Sequence, residues 1–123
     1  MPLDAREFAL KAAGLLQDKK AQAISLLEIG KLSLIADYFL ICSGSNKIQT
    51  RSICDHLRES LPDDQYPLLR VEGYEVADWI LLDFGALIVH IFQPETRSFY
   101  NLERLWGNAG GVDQACLTTL NWS

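Results

Sequence analysis

The chain has 123 residues, of which 49% are hydrophobic and 22% charged, and it carries a formal net charge of −5. That length suits one ordinary domain able to bury a core without staples. With 16 acidic against 11 basic residues, the balance argues against a domain whose affinity depends on neutralising many phosphates, so DNA is not an expected partner. It leaves room for a protein that sits on a nucleoprotein particle by gripping its protein part.

Three cysteines, Cys42, Cys54 and Cys116, are odd in number and lack C-x-x-C spacing. Cys42 lies in an apolar run and reads as a small buried hydrophobe. His56 and His90 stand far apart, so no zinc pattern exists, and neither a metal nor a cofactor is expected. Pro2-Leu3-Asp4 leads straight into a charged amphipathic segment instead of a signal peptide. No apolar run approaches the ~20 residues needed to cross a bilayer. The expectation is a soluble, cytoplasmic protein with no membrane partner.

In chain order, Asp4 and Glu7 have capping-box spacing. Apolar residues follow at Ala5, Phe8, Ala9, Ala12, Ala13 and Leu16, which predicts an amphipathic helix ending near Asp18-Lys19-Lys20. Ala23 to Ile29 reads as a strand stopped by Gly30, and Asp37 to Ser43 as a second, buried strand. Gly44-Ser45-Asn46 then leads into a helix with an apolar stripe at Ile53, Leu57 and Leu61. Ser45 or Asn46 can cap it. Leu68 to Glu72 reads as a third strand, and Gly73-Tyr74 as the turn after it.

Trp79 to Phe92 is the centre of the chain. Two apolar runs, 79–84 and 87–92, flank Gly85, which accepts φ > 0 and suits a tight turn; the prediction is an antiparallel hairpin near the middle of a sheet. Pro94 opens a last helix running through Trp106, with Phe99, Leu102 and Trp106 on one face. Tyr100, Asn101 and Arg104 look elsewhere. The order helix, strand, strand, helix, three strands, helix predicts an α/β (α+β) domain: one mixed sheet of about five strands flanked by helices.

Each candidate for chemistry has a plainer explanation. Ser43-Gly44-Ser45-Asn46 precedes a helix N-terminus, where anions are favoured, but it lacks a dinucleotide or Walker spacing, and a cap explains it better. Asp83 could bind a metal or act as a base. It has no acidic partner at even spacing, however, and an aspartate accepting from turn N–H groups is the stronger reading. A His90–Asp83 contact across the hairpin is conceivable, but no nucleophile is placed beside it, so a hydrogen-bonded histidine is preferred. Trp79, Tyr100 and Trp106 are amphipathic aromatics of the type that anchors protein interfaces; Trp106 reads as core, Trp79 is the better surface candidate, and Arg97, Asn101 and Arg104 share the last helix with Tyr100 and can frame a patch. No catalytic residue is assigned.

Five segments carry a resemblance to a known family: Ala36 to Gly44 (Ala-Asp-Tyr-Phe-Leu-Ile-Cys-Ser-Gly), Glu72-Gly73, Trp79 to Gly85, Val89-His90-Ile91-Phe92, and Arg97 to Trp106. In this order they resemble the ribosomal silencing factor (RsfS, or Iojap) family over roughly residues 3–109. The resemblance implies a fold similar to a reduced nucleotidyltransferase domain, and a function that is not enzymatic. It implies binding to the large ribosomal subunit through its protein 14, which would block joining of the small subunit and repress translation. A role in ribosome biogenesis and a homodimer are further implications. The interface candidates it carries over are Trp79, Leu82, Asp83, Arg97, Tyr100 and Asn101. Ala86 stands where the family usually has an acidic residue. Residues 1–109 form the family-like domain, and the tail 110–123 receives no role. The alternatives are a nucleotidyltransferase-like enzyme, using Ser43-Gly44-Ser45 for phosphate and Asp83 for metal, and a purely structural dimerisation module.

Overall fold

Local signals and tertiary burial agree at the first helix. In the computed structural model, which describes residues 3–30, 36–61 and 64–102, helix α1 spans Ala5–Asp18. The Glu7 backbone N–H donates to Asp4 Oδ1 at 2.7 Å and the Asp4 N–H to Glu7 Oε1 at 3.2 Å, closing the capping box. Phe8, Ala9, Ala12, Ala13 and Leu16 form its buried face. The alanines let the helix lie close to the sheet, and Phe8 fills the remaining space, its ring 4.5 Å from Tyr66 and 5.4 Å from Phe84 between centroids.

The strands are β1 (Gln22–Glu28), β2 (Tyr38–Ser43), β3 (Arg70–Glu72), β4 (Trp79–Asp83) and β5 (Leu87–Phe92), with helix α2 (Lys47–Ser60) between β2 and β3 and helix α3 (Pro94–Tyr100) after β5. They form one sheet in the order β1-β2-β5-β4-β3. Only β2 and β5 pair in parallel; the other neighbours are antiparallel. The mixed five-stranded sheet expected from the sequence is therefore present. The expected hairpin is β4–β5, with Gly85 at φ +83° in its turn. β5 is central and buried at every residue, whereas β4 alternates buried and half-buried positions.

That alternation defines two faces. Leu26, Leu40, Cys42, Ile80, Leu82, Leu87, Val89 and Ile91 point to the face covered by α1 and α2. Leu27, Phe39, Ile41, Ile88 and Phe92 point to the other, joined by Trp79, Leu81 and Leu102. Burial pushes the thiols of Cys42 and Cys54 up to about 12, which makes them inert core groups.

Several boundaries differ from the sequence reading, and β3 is shorter than expected, starting at Arg70 instead of Leu68. β1 carries an irregularity between Gln22 and Ser25, with Ala23 at φ 50°, so its pairing starts out of step. α3 stops at Tyr100 because Asn101 adopts a left-handed conformation, φ 46° and ψ 57°, and its N–H caps Arg97 O. The expected continuation through Arg104 to Trp106 lies outside the described residues, as do Cys116 and the tail. Phe99, expected on one face with Leu102 and Trp106, is 81% exposed.

Candidate protein-binding face

The loop between β3 and β4 decides where Trp79 sits, and α2 holds that loop down. Arg51 donates from Nε to Tyr74 O at 3.1 Å and from Nη2 to Glu75 O at 2.6 Å. Lys47 Nζ donates to Val76 O at 2.8 Å, and the buried Thr50 hydroxyl reaches Ala77 O at 3.0 Å. The Tyr74 hydroxyl donates to the Asp55 carboxylate, 3.0 Å from either oxygen. Ala77, fully buried, is held at φ 64°, a conformation that a residue with a Cβ adopts only under constraint. From the N-cap of α3, the Gln93 N–H donates to Asp78 O at 2.9 Å and its side-chain amide to Asp78 Oδ1, also at 2.9 Å. None of these straps was legible in the sequence, where the stretch reads only as a turn.

From this base Trp79 projects onto the face opposite α1 and α2. Its indole lies beside Phe92 and Tyr100, with ring centroids 4.9 Å and 4.8 Å away. Its N–H donates to His90 Nδ1 at 3.0 Å. Val76, Asp78, Trp79, Glu95, Thr96, Phe99 and Tyr100 line a shallow groove of about 470 Å³. Val76 is 60% exposed and Tyr100 51%. Apolar surface gathered with an aromatic wall and an acidic rim from Asp78 and Glu95 is the pattern of a protein-docking site.

The six interface candidates divide. Trp79 and Tyr100 are in contact and belong to the groove. Asp83 lies on the same face of β4 at its far end. Its Oδ2 pairs with Arg70 Nε at 3.2 Å, and its Oδ1 accepts the Gly85 N–H at 2.8 Å. Arg97 Nη1 donates to Ser43 Oγ at 2.9 Å, tying α3 to the end of β2, and Asn101 is the exposed cap of α3. Leu82 lies on the opposite face of β4 from Trp79. The pleat of β4 turns it towards α1 and α2, where it is 0% exposed and can only support the surface. Val76, Asp78, Glu95, Thr96 and Phe99 line the groove without having been among the candidates; the adjacent aromatic pair Phe99-Tyr100 just after Pro94 was the available signal.

The residues considered for chemistry have other partners in the fold. Asp83 sits opposite Ile88 and His90 opposite Leu81, so no His–Asp pair forms. Asn46 Oδ1 accepts the Gln49 N–H at 2.8 Å and so caps α2, while the Ser45 hydroxyl donates to Gln49 Oε1 at 2.6 Å. Among the described residues, no three His, Cys, Asp or Glu side chains are grouped to hold a metal ion. No helix among them is long and apolar enough to cross a membrane.

A family profile described as "Ribosomal silencing factor during starvation" matches residues 2–121. Ribosomal silencing factor RsfS of Halalkalibacterium halodurans is 40% identical over 108 residues, covering 88% of this chain and 92% of the relative. The Bacillus subtilis protein of the same name is also 40% identical, covering 83% and 86%. The chloroplastic Iojap protein of Zea mays is 32% identical over 86% of this chain, which spans 46% of that longer protein. A crystal structure of a Chromobacterium violaceum protein superposes with a TM-score of 0.81 at 27% identity, covering 85% of this chain and 88% of that one. Sequence, fold and the nearly full-length profile match agree: the chain belongs to the ribosomal silencing factor family, as the five sequence segments had indicated.

Proposed function

We propose that this protein binds the large ribosomal subunit through its protein 14, at the surface where the small subunit joins, and represses translation by steric exclusion. The reading requires no catalysis, only affinity and position. The observation that carries it is the groove of Val76, Trp79, Phe99 and Tyr100 rimmed by Asp78 and Glu95. Aromatic anchors supply affinity in such faces, and carboxylates favour a basic partner surface, the kind of surface RNA-binding ribosomal proteins present. In this reading Trp79 and Tyr100 make the central contact, with Asp83, Arg97 and Asn101 around it and Leu82 behind it. The action takes place in the cytoplasm. A related role in ribosome assembly is supported by a mouse relative named "Mitochondrial assembly of ribosomal large subunit protein 1", 32% identical over 75% of this chain.

The test mixes the purified protein with large subunits, sediments them, and then adds small subunits. Co-sedimentation with large subunits and a loss of joined particles are expected; failure of either rejects the proposal. Trp79→Ala should weaken binding more than a change within 112–123, and equal effects would remove the face from its assigned place. A homodimer is part of the proposal and is read from the mass at sedimentation equilibrium.

A further inference from the structure

We propose that His90 is a positioning residue of this docking face: through its Nδ1 lone pair it holds the Trp79 indole N–H inward and so sets the angle at which the indole walls the groove. The inference rests on the function proposed above and assigns one of its parts to a residue that makes no contact with the partner.

His90 is only 3% exposed and lies on the central strand. Phe39 meets its ring edge-on at 4.6 Å, and Phe92 is stacked at 6.2 Å. The imidazole is thus a fixed object against which a neighbour can be oriented. The indole N–H is a donor only. The 3.0 Å contact from Trp79 Nε1 to His90 Nδ1 therefore requires a bare Nδ1, and the ring's proton sits on Nε2. Among the described residues, Nε2 has no hydrogen-bond partner.

A buried donor without a partner is unfavourable, and a phenyl ring would fill the same aromatic pocket without that cost. What an imidazole adds there is the Nδ1 acceptor, and among the described residues its user is Trp79. Without an acceptor the indole N–H would be left unsatisfied on its inner side, while the half-buried ring has water on the groove side. The indole would then turn its N–H outward, leaving its place beside Phe92 and Tyr100. A face whose aromatic anchor is already oriented binds better, because less freedom is lost on docking.

The experiment uses the full chain, uniformly labelled with nitrogen-15, and purified large subunits. The variants are His90→Phe, which keeps the ring but removes the acceptor, and His90→Asn, whose side-chain oxygen occupies a position close to that of Nδ1. Trp79→Phe assigns the indole resonance. In the parent, the Trp79 indole nitrogen should couple across the hydrogen bond to an imidazole nitrogen. His90→Phe should abolish the coupling, move the indole resonance towards the free position and weaken large-subunit binding about tenfold, the scale of a lost anchor geometry. His90→Asn should restore most of the affinity, and adding His90→Phe to Trp79→Phe should cost nothing further. Unchanged affinity in His90→Phe, an unmoved indole resonance, or no rescue by His90→Asn would each overturn the proposal. If the parent shows the coupling but does not bind large subunits, the functional reading fails and takes the docking role with it, while the contact itself stands.

Discussion

A Cβ placed on Gly73 would lie 2.0 Å from the carbonyl oxygen of Trp79, and Gly73 itself adopts φ +81°. The loop after β3 therefore closes onto the first residue of β4 with no space for a side chain. Gly73→Ala is expected to cost about 3 kcal/mol or more, because left-handed strain adds to a backbone clash that no rotamer relieves. Thermal or urea unfolding measures the cost. The same change should weaken large-subunit binding in the fraction that stays folded, since Trp79 must shift. A fully stable Gly73→Ala protein would show that this approach is not maintained in solution.

Leu82 and Tyr100 separate support from contact. Leu82→Ala removes a fully buried side chain under α1 and α2, so it should destabilise by about 3 kcal/mol. Binding per folded molecule should stay near the parent's. Tyr100→Ala acts on a half-exposed ring beside Trp79; it should leave stability within about 1 kcal/mol and lower affinity by roughly 2 kcal/mol. Paired unfolding and binding curves on both variants decide this. The reverse pattern would mean that the partner is met on the other side of the sheet.

Asp83 has a structural task at the hairpin turn, accepting the Gly85 N–H and pairing with Arg70. Asp83→Ala should cost about 1 kcal/mol, mostly from the turn N–H, because the Arg70 pair is partly solvated. Asp83→Asn keeps an acceptor for Gly85 and should cost less. Neither variant should change magnesium–nucleotide binding, which the docking reading does not include. Saturable binding lost in Asp83→Asn would revive the enzymatic alternative.

The order of elements was legible because each carries local chemistry that tertiary packing reinforces. The capping box before α1, the Asn46 cap of α2 and the glycine turn of β4–β5 all act over four residues or fewer. The sheet order was not legible. β5 inserts between β2 and β4, a long-range pairing that no local pattern encodes. At the candidate site, Trp79 and Tyr100 were recognisable as interface residue types, and the three-residue spacing already puts Trp79 and Leu82 on opposite faces of a strand, but what covers each face is not a local property. The pleat separates them, and its phase is set by the register Trp79↔Phe92 to Asp83↔Ile88. The straps from Arg51, Lys47 and Thr50 to the loop 74–77 join residues over 20 positions apart. They depend on a packing that sequence spacing does not reveal.

His90 makes stability depend on pH in one direction. Burial lowers its pKa from 6.5 to about 4. Above pH 6.5 the imidazole is neutral in both states and the group contributes its full share. As pH falls below 6.5, the unfolded chain takes up a proton that the folded chain refuses, so stability drops. The loss continues until about pH 4, where the folded state also protonates, and totals about 3 kcal/mol. Below that the contribution is flat. Carboxylates titrate in the same range, so the measurement is a difference: unfolding free energies of the parent and His90→Phe between pH 7 and 4. The parent should lose stability more steeply between 6.5 and 4, and the gap between the two proteins should change by the full His90 share. Parallel curves would mean that the imidazole protonates freely in the folded protein. The Trp79 hydrogen bond to Nδ1 would then fail near neutral pH, because a protonated ring offers no acceptor.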